Sequence, residues 1–173
     1  MFRLVIIFLV ICFLYLGCTP LPCNPPSYYA PNSEAPYTAQ EIRVPTKEGN
    51  ILAGTLTIPS NSRPPYPAMV LITGSHPQDR DMAGSRTEPL NKYRPFRQIA
   101  DALSSRGVVV LRMDDRGYGC SEGGDINEAT IHERAKDIKS GLEYLKDRKD
   151  IDEHRLGLLG ISEGANIGPM IAM

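Results

Sequence analysis

At 173 residues, with 42% hydrophobic and 23% charged residues, the chain has the composition of one globular domain with room for a leader. A net charge of -1 gives no electrostatic basis for binding nucleic acid or an acidic surface. The cysteines Cys12, Cys18, Cys23 and Cys120 form no C-x-x-C pair and the histidines are scattered, so no metal-ligand spacing is present.

Met1-Phe2-Arg3 is a short basic start, and residues 4–16 are thirteen apolar residues without a charge. A membrane span needs about 20; this run instead suits the apolar core of a secretory signal. With Leu14-Tyr15-Leu16-Gly17-Cys18 it resembles a bacterial lipoprotein signal, in which the cysteine after a small residue is lipidated and becomes the new N-terminus. Tyr15 departs from that pattern, since an aliphatic residue is usual there. An ordinary cleaved signal and an uncleaved anchor are the alternatives. The favoured reading makes 1–17 the signal and Cys18 the lipidated residue, with the protein exported to the cell envelope and held on a membrane. Residues 18–40 read as a tether: Pro20, Pro22, Pro25, Pro26, Pro31 and Pro36 keep it extended, and it has little to bury. In an exported chain Cys23 and Cys120 can pair, or both can remain free thiols.

The domain is expected over 41–173. Ile42 and Val44 alternate with polar residues, Lys47-Glu48-Gly49-Asn50 offers a turn, and Leu52, Leu56 and Ile58 share a face, which predicts a β-hairpin closed by Pro59. After a proline-rich loop, residues 68–72 form a continuous apolar run, as in a strand covered on both faces. Phe96, Ile99, Ala100 and Leu103 predict a helix over 95–106, begun by Pro95 and stopped by Gly107. A buried strand is expected over 108–113. Thr130-Ile131-His132-Glu133 has the form of a capping box, and Ile131, Ala135, Ile138, Leu142 and Leu145 predict a helix over 131–148. A short apolar strand, 155–159, comes last. Strands alternating with helices imply an α/β fold: a mainly parallel sheet with helices on both faces, with ligands bound beyond the carboxyl ends of the strands.

Those ends carry the unusual residues. Gly160-Ile161-Ser162-Glu163-Gly164 is a G-x-S-x-G sequence between a strand and an apparent helix start, the setting of a nucleophile elbow. The glycines let strand and helix approach closely enough for a turn that holds the serine hydroxyl clear of the backbone. Alone, this pattern is common, and a plain strand-to-helix loop is its alternative. Thr73-Gly74-Ser75-His76-Pro77-Gln78-Asp79-Arg80-Asp81 follows the third strand, and Asp114-Asp115-Arg116-Gly117-Tyr118-Gly119-Cys120-Ser121-Glu122-Gly123 follows the fourth.

With these three motifs in order, residues 41–173 resemble the bacterial α/β-hydrolases of the serine esterase and serine aminopeptidase kind. The resemblance implies Ser162 as nucleophile, with the backbone N–H groups of Glu163 and Ser75 as oxyanion donors. The implied partner is a small ester or related acyl substrate, and no metal or cofactor is implied. The chain departs from the family pattern at Thr73, His76 and Ile161. In that fold the acid and the histidine follow the nucleophile. The sequence runs only nine residues past Gly164. The fold is therefore expected to be truncated after the elbow, with both residues missing, the strand before Ser162 at an open edge, and the chain alone inactive. The alternative is a non-catalytic remnant or a partner-binding lipoprotein scaffold.

Other polar residues have plainer readings. His76 is expected to serve the loop rather than act as base, and His132 and His154 to lie on the surface. Asp79, Arg80 and Asp81 are expected to pair and fix their loop, and Asp114 and Asp115 to build theirs. Gly117, Gly119 and Gly123 have the outline of a dinucleotide loop, but no helix starts at its end, so that reading is rejected.

Overall fold

A computed structural model describes residues 23, 31, 34–83 and 93–172. The signal and Cys18 lie outside the described residues. The elements are β1 (Tyr37–Pro45), β2 (Ile51–Pro59), β3 (Tyr66–Ile72), α1 (Pro95–Ser104), β4 (Val109–Met113), α2 (Ile131–Lys146), β5 (Ile151–Gly160) and α3 (Glu163–Ala172). They form a five-stranded sheet in the order β1-β2-β4-β3-β5. β3 is parallel to β4 and β5, and the β1–β2 hairpin adds two antiparallel strands on the β4 side. β5 is an edge of this sheet among the described residues. β1 starts at Tyr37, inside the stretch read as tether. The alternation of Tyr37 and Ala39 is out of phase with that of Ile42 and Val44, and pairing with the far end of β2 recruits these first residues, Tyr37 opposite Pro59.

The hairpin turn is closed by the N–H of Thr46 donating to the carbonyl of Asn50 at 2.8 Å, with Gly49 at φ 91°, a conformation glycine adopts at no steric cost. Alternation along the parallel strands sends side chains to opposite faces. Val70, Leu111 and Met113 join a core completed by Leu142 and Leu145 of α2. Leu71 and Val110 join a second core with Phe96 and Ala100 of α1. Helices therefore cover both faces, as expected.

The capping box is formed: Thr130 Oγ1 accepts from the N–H of Glu133, and the Glu133 carboxylate accepts from the N–H of Thr130. The apolar stripe of α2 is only part of what it buries, because Arg134, Asp137, Ser140 and Gly141 are more enclosed than Ile138 or Leu142. Gly141 brings the helix close to the sheet; a Cβ there would lie 2.8 Å from Met113 Cε.

The loops at the carboxyl ends of β3 and β4 are locked by a fully buried ion pair. Asp114 Oδ1 accepts from Arg80 Nε at 3.0 Å and Oδ2 from Nη2 at 2.8 Å, both side chains being fully buried. Arg80 also donates to Thr55 Oγ1 at 2.8 Å and to Glu41, so it reaches β2 and β1. A second buried pair joins Arg112 of β4 to Asp81. Burial opposes both of its charges, pushing Asp81 up and Arg112 down from their usual values. Removing one member of a buried pair strands the other charge, at about 3–5 kcal/mol. Asp114→Ala is expected to lower the unfolding free energy by about that much in urea titrations. Lys47→Ala, which breaks an exposed pair with Glu143, is expected to change it by less than about 0.5 kcal/mol. Equal losses in the two variants would show that burial adds nothing to the Arg80–Asp114 pair.

Candidate active site

β5 pairs in register with β3 up to Ile72 opposite Gly160, and the N–H of Ile161 still donates to the carbonyl of Ile72. The chain then reverses. Ser162 has φ 57°, in the left-handed region that non-glycine residues rarely occupy. The turn closes through Gly164 N–H to Ile161 O and Ala165 N–H to Ser162 O, both at 3.0 Å, and α3 begins at Glu163. Space dictates the flanking glycines. A Cβ on Gly160 would lie 2.1 Å from the Gly164 carbonyl oxygen, and one on Gly164 would lie 2.4 Å from that of Ile72. Ser162 is exposed at the tip. This is the strained strand-turn-helix geometry of a nucleophile elbow.

The loop after β3 runs beside it. A Cβ on Gly74 would lie 3.5 Å from Ser162 Cβ, an ordinary contact, so the loop and the elbow touch. The N–H of Gly74 is taken by Gln78 Oε1 at 3.0 Å. Those of Ser75 and Glu163 donate to no group among the described residues. Asp115 holds the loop from the β4 side: Oδ1 accepts from Thr73 Oγ1 at 2.6 Å and Oδ2 from the N–H of Gln78 at 2.9 Å. Burial pushes the Asp115 carboxyl up to about 6, against the opposing pull of the Thr73 hydrogen bond and the Arg134 charge.

Ser75 and His76 are both exposed on this loop, and His132 and His154 are exposed at the start of α2 and on β5, away from any bond to Ser162. Asp79 caps the N–H groups of Asp81 and Ala83. Arg80 and Asp81 do not pair with each other: Arg80 reaches Asp114, just after β4, and Asp81 reaches Arg112 on β4. Asp114 organises its own loop through the N–H of Cys120 at 3.0 Å, and Asp115 works across to the β3 loop. Cys23 and Cys120 form a disulfide, Cα–Cα 5.6 Å, which resolves the alternative left open by the sequence.

Arg134 was missed. Its guanidinium donates to the carbonyl of Gly74 and to the carboxylate of Glu163, with only 6% of the side chain exposed. Beside it Arg116 grips Asp137 with two bonds, at 2.6 and 2.7 Å. The helical period held a usable signal, since Arg134 lies three residues after Ile131 and four before Ile138, within the sector of the apolar stripe.

A mixed sheet whose β4, β3 and β5 run parallel, helices on both faces, and a strained serine at the carboxyl end of β5 define the α/β-hydrolase fold. A family model described as serine aminopeptidase, S33 matches residues 90–172. Esterase EstD of Thermotoga maritima is 36% identical over 148 residues, covering 85% of this chain and 31% of EstD. Uncharacterized protein YfhR of Salmonella typhi is 30% identical over 166 residues, 94% of this chain and 51% of YfhR. The solved α/β hydrolase GrgF from Penicillium sp. sh18 superposes with a TM-score of 0.63 at 22% identity, over 78% of this chain and 41% of GrgF. The chain thus spans between about a third and a half of the curated relatives it matches. The chain has the fold of the α/β hydrolases and is similar in sequence to bacterial members of that family.

The Asp115 environment makes stability depend on pH. Its folded value, about 6, lies above the ordinary 3.8, so on raising the pH the unfolded chain releases this proton first. The contribution is full below about pH 4 and is lost as the pH rises through about 6, at most about 3 kcal/mol. Asp115→Asn keeps an acceptor for Gln78 and offers a donor to Thr73. It is expected to be at least as stable as the wild type at neutral pH and to flatten the melting temperature between about pH 4 and 6. An unchanged profile in the variant would assign that titration to another group.

Proposed function

We propose that the protein carrying this chain is a serine hydrolase of carboxylic esters or related acyl compounds. The observation that carries this reading is the backbone of Ser162: a non-glycine residue at φ 57° between two glycines that tolerate no Cβ. Such strain is retained where it serves a site. In this reading Ser162 Oγ attacks the substrate carbonyl carbon as its proton passes to a base. The resulting oxyanion accepts from the N–H groups of Ser75 and Glu163. The alkoxide takes up a proton and leaves, and water then cleaves the acyl-enzyme. The base and its acid are taken to lie outside these residues, because none of the chain's histidines bonds Ser162 among those described. The relationship to EstD supports an ester as substrate.

Ser162→Ala in the full-length protein is expected to abolish p-nitrophenyl ester turnover and labelling by a fluorophosphonate probe. His76→Ala should leave labelling largely intact. Labelling of Ser162→Ala at the wild-type rate would remove the elbow from the chemistry and favour a non-catalytic scaffold.

The same protein is proposed to be exported and held on a membrane of the bacterial envelope through lipidated Cys18. The Cys23–Cys120 disulfide supports export, since such bonds persist in oxidising compartments. Stable anchoring takes more than one acyl chain. Mass spectrometry of the mature N-terminus is expected to show cleavage before Cys18 and a multiply acylated cysteine. An intact leader or an unmodified Cys18 would overturn this.

A further inference from the structure

We propose that Arg134 is a positioning residue for the oxyanion site, acting on both backbone donors at once without touching substrate. The inference deepens the hydrolase reading and rests on it for its kinetic consequence. Arg134 extends from the first turns of α2, and its two terminal nitrogens part company: Nη1 donates to the Glu163 carboxylate and Nη2 to the carbonyl oxygen of Gly74. These two acceptors belong to the two segments that carry the donors. A planar guanidinium has its donors in a fixed fork, so a group held at each nitrogen is held relative to the other. Both bonds are charge-assisted, and Arg134 is almost wholly enclosed.

The link to the donors is covalent geometry. The carbonyl of Gly74 and the N–H of Ser75 belong to one planar peptide unit, and in a trans unit they point in opposite directions. Fixing the oxygen against Arg134 therefore fixes the direction of the Ser75 N–H. The guanidinium charge held against that oxygen also polarises the peptide and makes the N–H a better donor. No other side chain performs this task among the described residues. Gln78 takes the N–H of Gly74 and Asp115 takes Thr73 and Gln78, so both act one peptide unit earlier or further along the loop. At the other end, the carboxylate of Glu163 is tied down at the residue whose own N–H is the second donor and which opens α3. The Glu of the elbow motif thus has a role its neighbours do not share: its side chain joins the helix start to the same clamp that aims the other donor. Lysine at 134 would keep the charge but, as a single point donor, could not hold both acceptors in a set geometry.

The test uses the full-length protein with Arg134→Lys, Arg134→Met and Glu163→Gln, each checked for its thermal transition. The positioning itself is read by NMR, independently of turnover: the amide resonance of Ser75 is expected to shift in Arg134→Lys and Arg134→Met. The consequence is read with p-nitrophenyl butyrate. Both Arg134 variants are expected to lose about tenfold to a hundredfold in kcat at unchanged KM, less than the ~10²–10³ that follows loss of a donor itself. Affinity for a trifluoromethyl ketone, whose adduct bears the oxyanion, should fall by the same factor. Added methylguanidinium should partly restore kcat in Arg134→Ala. An unmoved Ser75 resonance in folded variants overturns the proposal. So does a loss of kcat that only follows the unfolded fraction, or a rise in KM alone. If the wild type shows no Ser162-dependent turnover, the hydrolase reading fails, and the Ser75 resonance still decides whether Arg134 aims that peptide.

Discussion

The pairing of Arg80 with Asp114 is the interaction on which the upper end of the sheet depends. Asp114 closes β4 and also accepts the N–H groups of Arg80 and Cys120, so its one carboxylate collects the loops after β3 and β4. Arg80 extends the tie to Thr55 and Glu41 on the hairpin. The partners keep the guanidinium charged, Asp114 above all, although burial acts against it. Two buried ions are a poor source of net stability compared with apolar packing, but breaking the pair by removing one partner is costly.

Around that lock the site is assembled in layers of decreasing rigidity. The sheet register brings Ile72 and Gly160 side by side, and the absent side chains of Gly160 and Gly164 let α3 start directly over the end of β5. Asp115 and Gln78 then shape the loop after β3, and Arg134 ties that loop to α3. Each layer uses backbone carbonyls and amides as the things positioned and side chains as the things positioning them. The polar groups buried here are therefore mostly those of neighbouring loops rather than of the sheet.

Much of this was legible in the sequence. The apolar runs gave the parallel strands, because strands covered on both faces carry little polar residue. The capping box gave the start of α2, because its two reciprocal bonds depend only on residues 130 and 133. G-x-S-x-G between a strand and a helix gave the elbow, because its glycines answer to local space. What was not legible depends on distant partners. Tyr37 is a strand residue because of Pro59, and Asp101 accepts from its hydroxyl. Arg80 and Asp81 look like a local charge cluster but find their counterions on β4 and just after it, further along the chain. Arg134 and Asp137 look like the solvated side of an amphipathic helix, yet Arg116, Glu163 and Gly74 draw them inward.

The disulfide changes where force enters the molecule. Cys23 and Cys120 are 97 residues apart in sequence, and Cys120 is bonded through its own N–H to Asp114. A pull on the chain ahead of Cys23 is delivered across the sulfur bridge into the loop beyond β4, and from there into the Arg80–Asp114 pair. β1, the outermost strand on its side and the one a direct pull would peel away first, is left mechanically idle. With the bridge reduced, the same pull would arrive at Tyr37 and unzip the hairpin from its end.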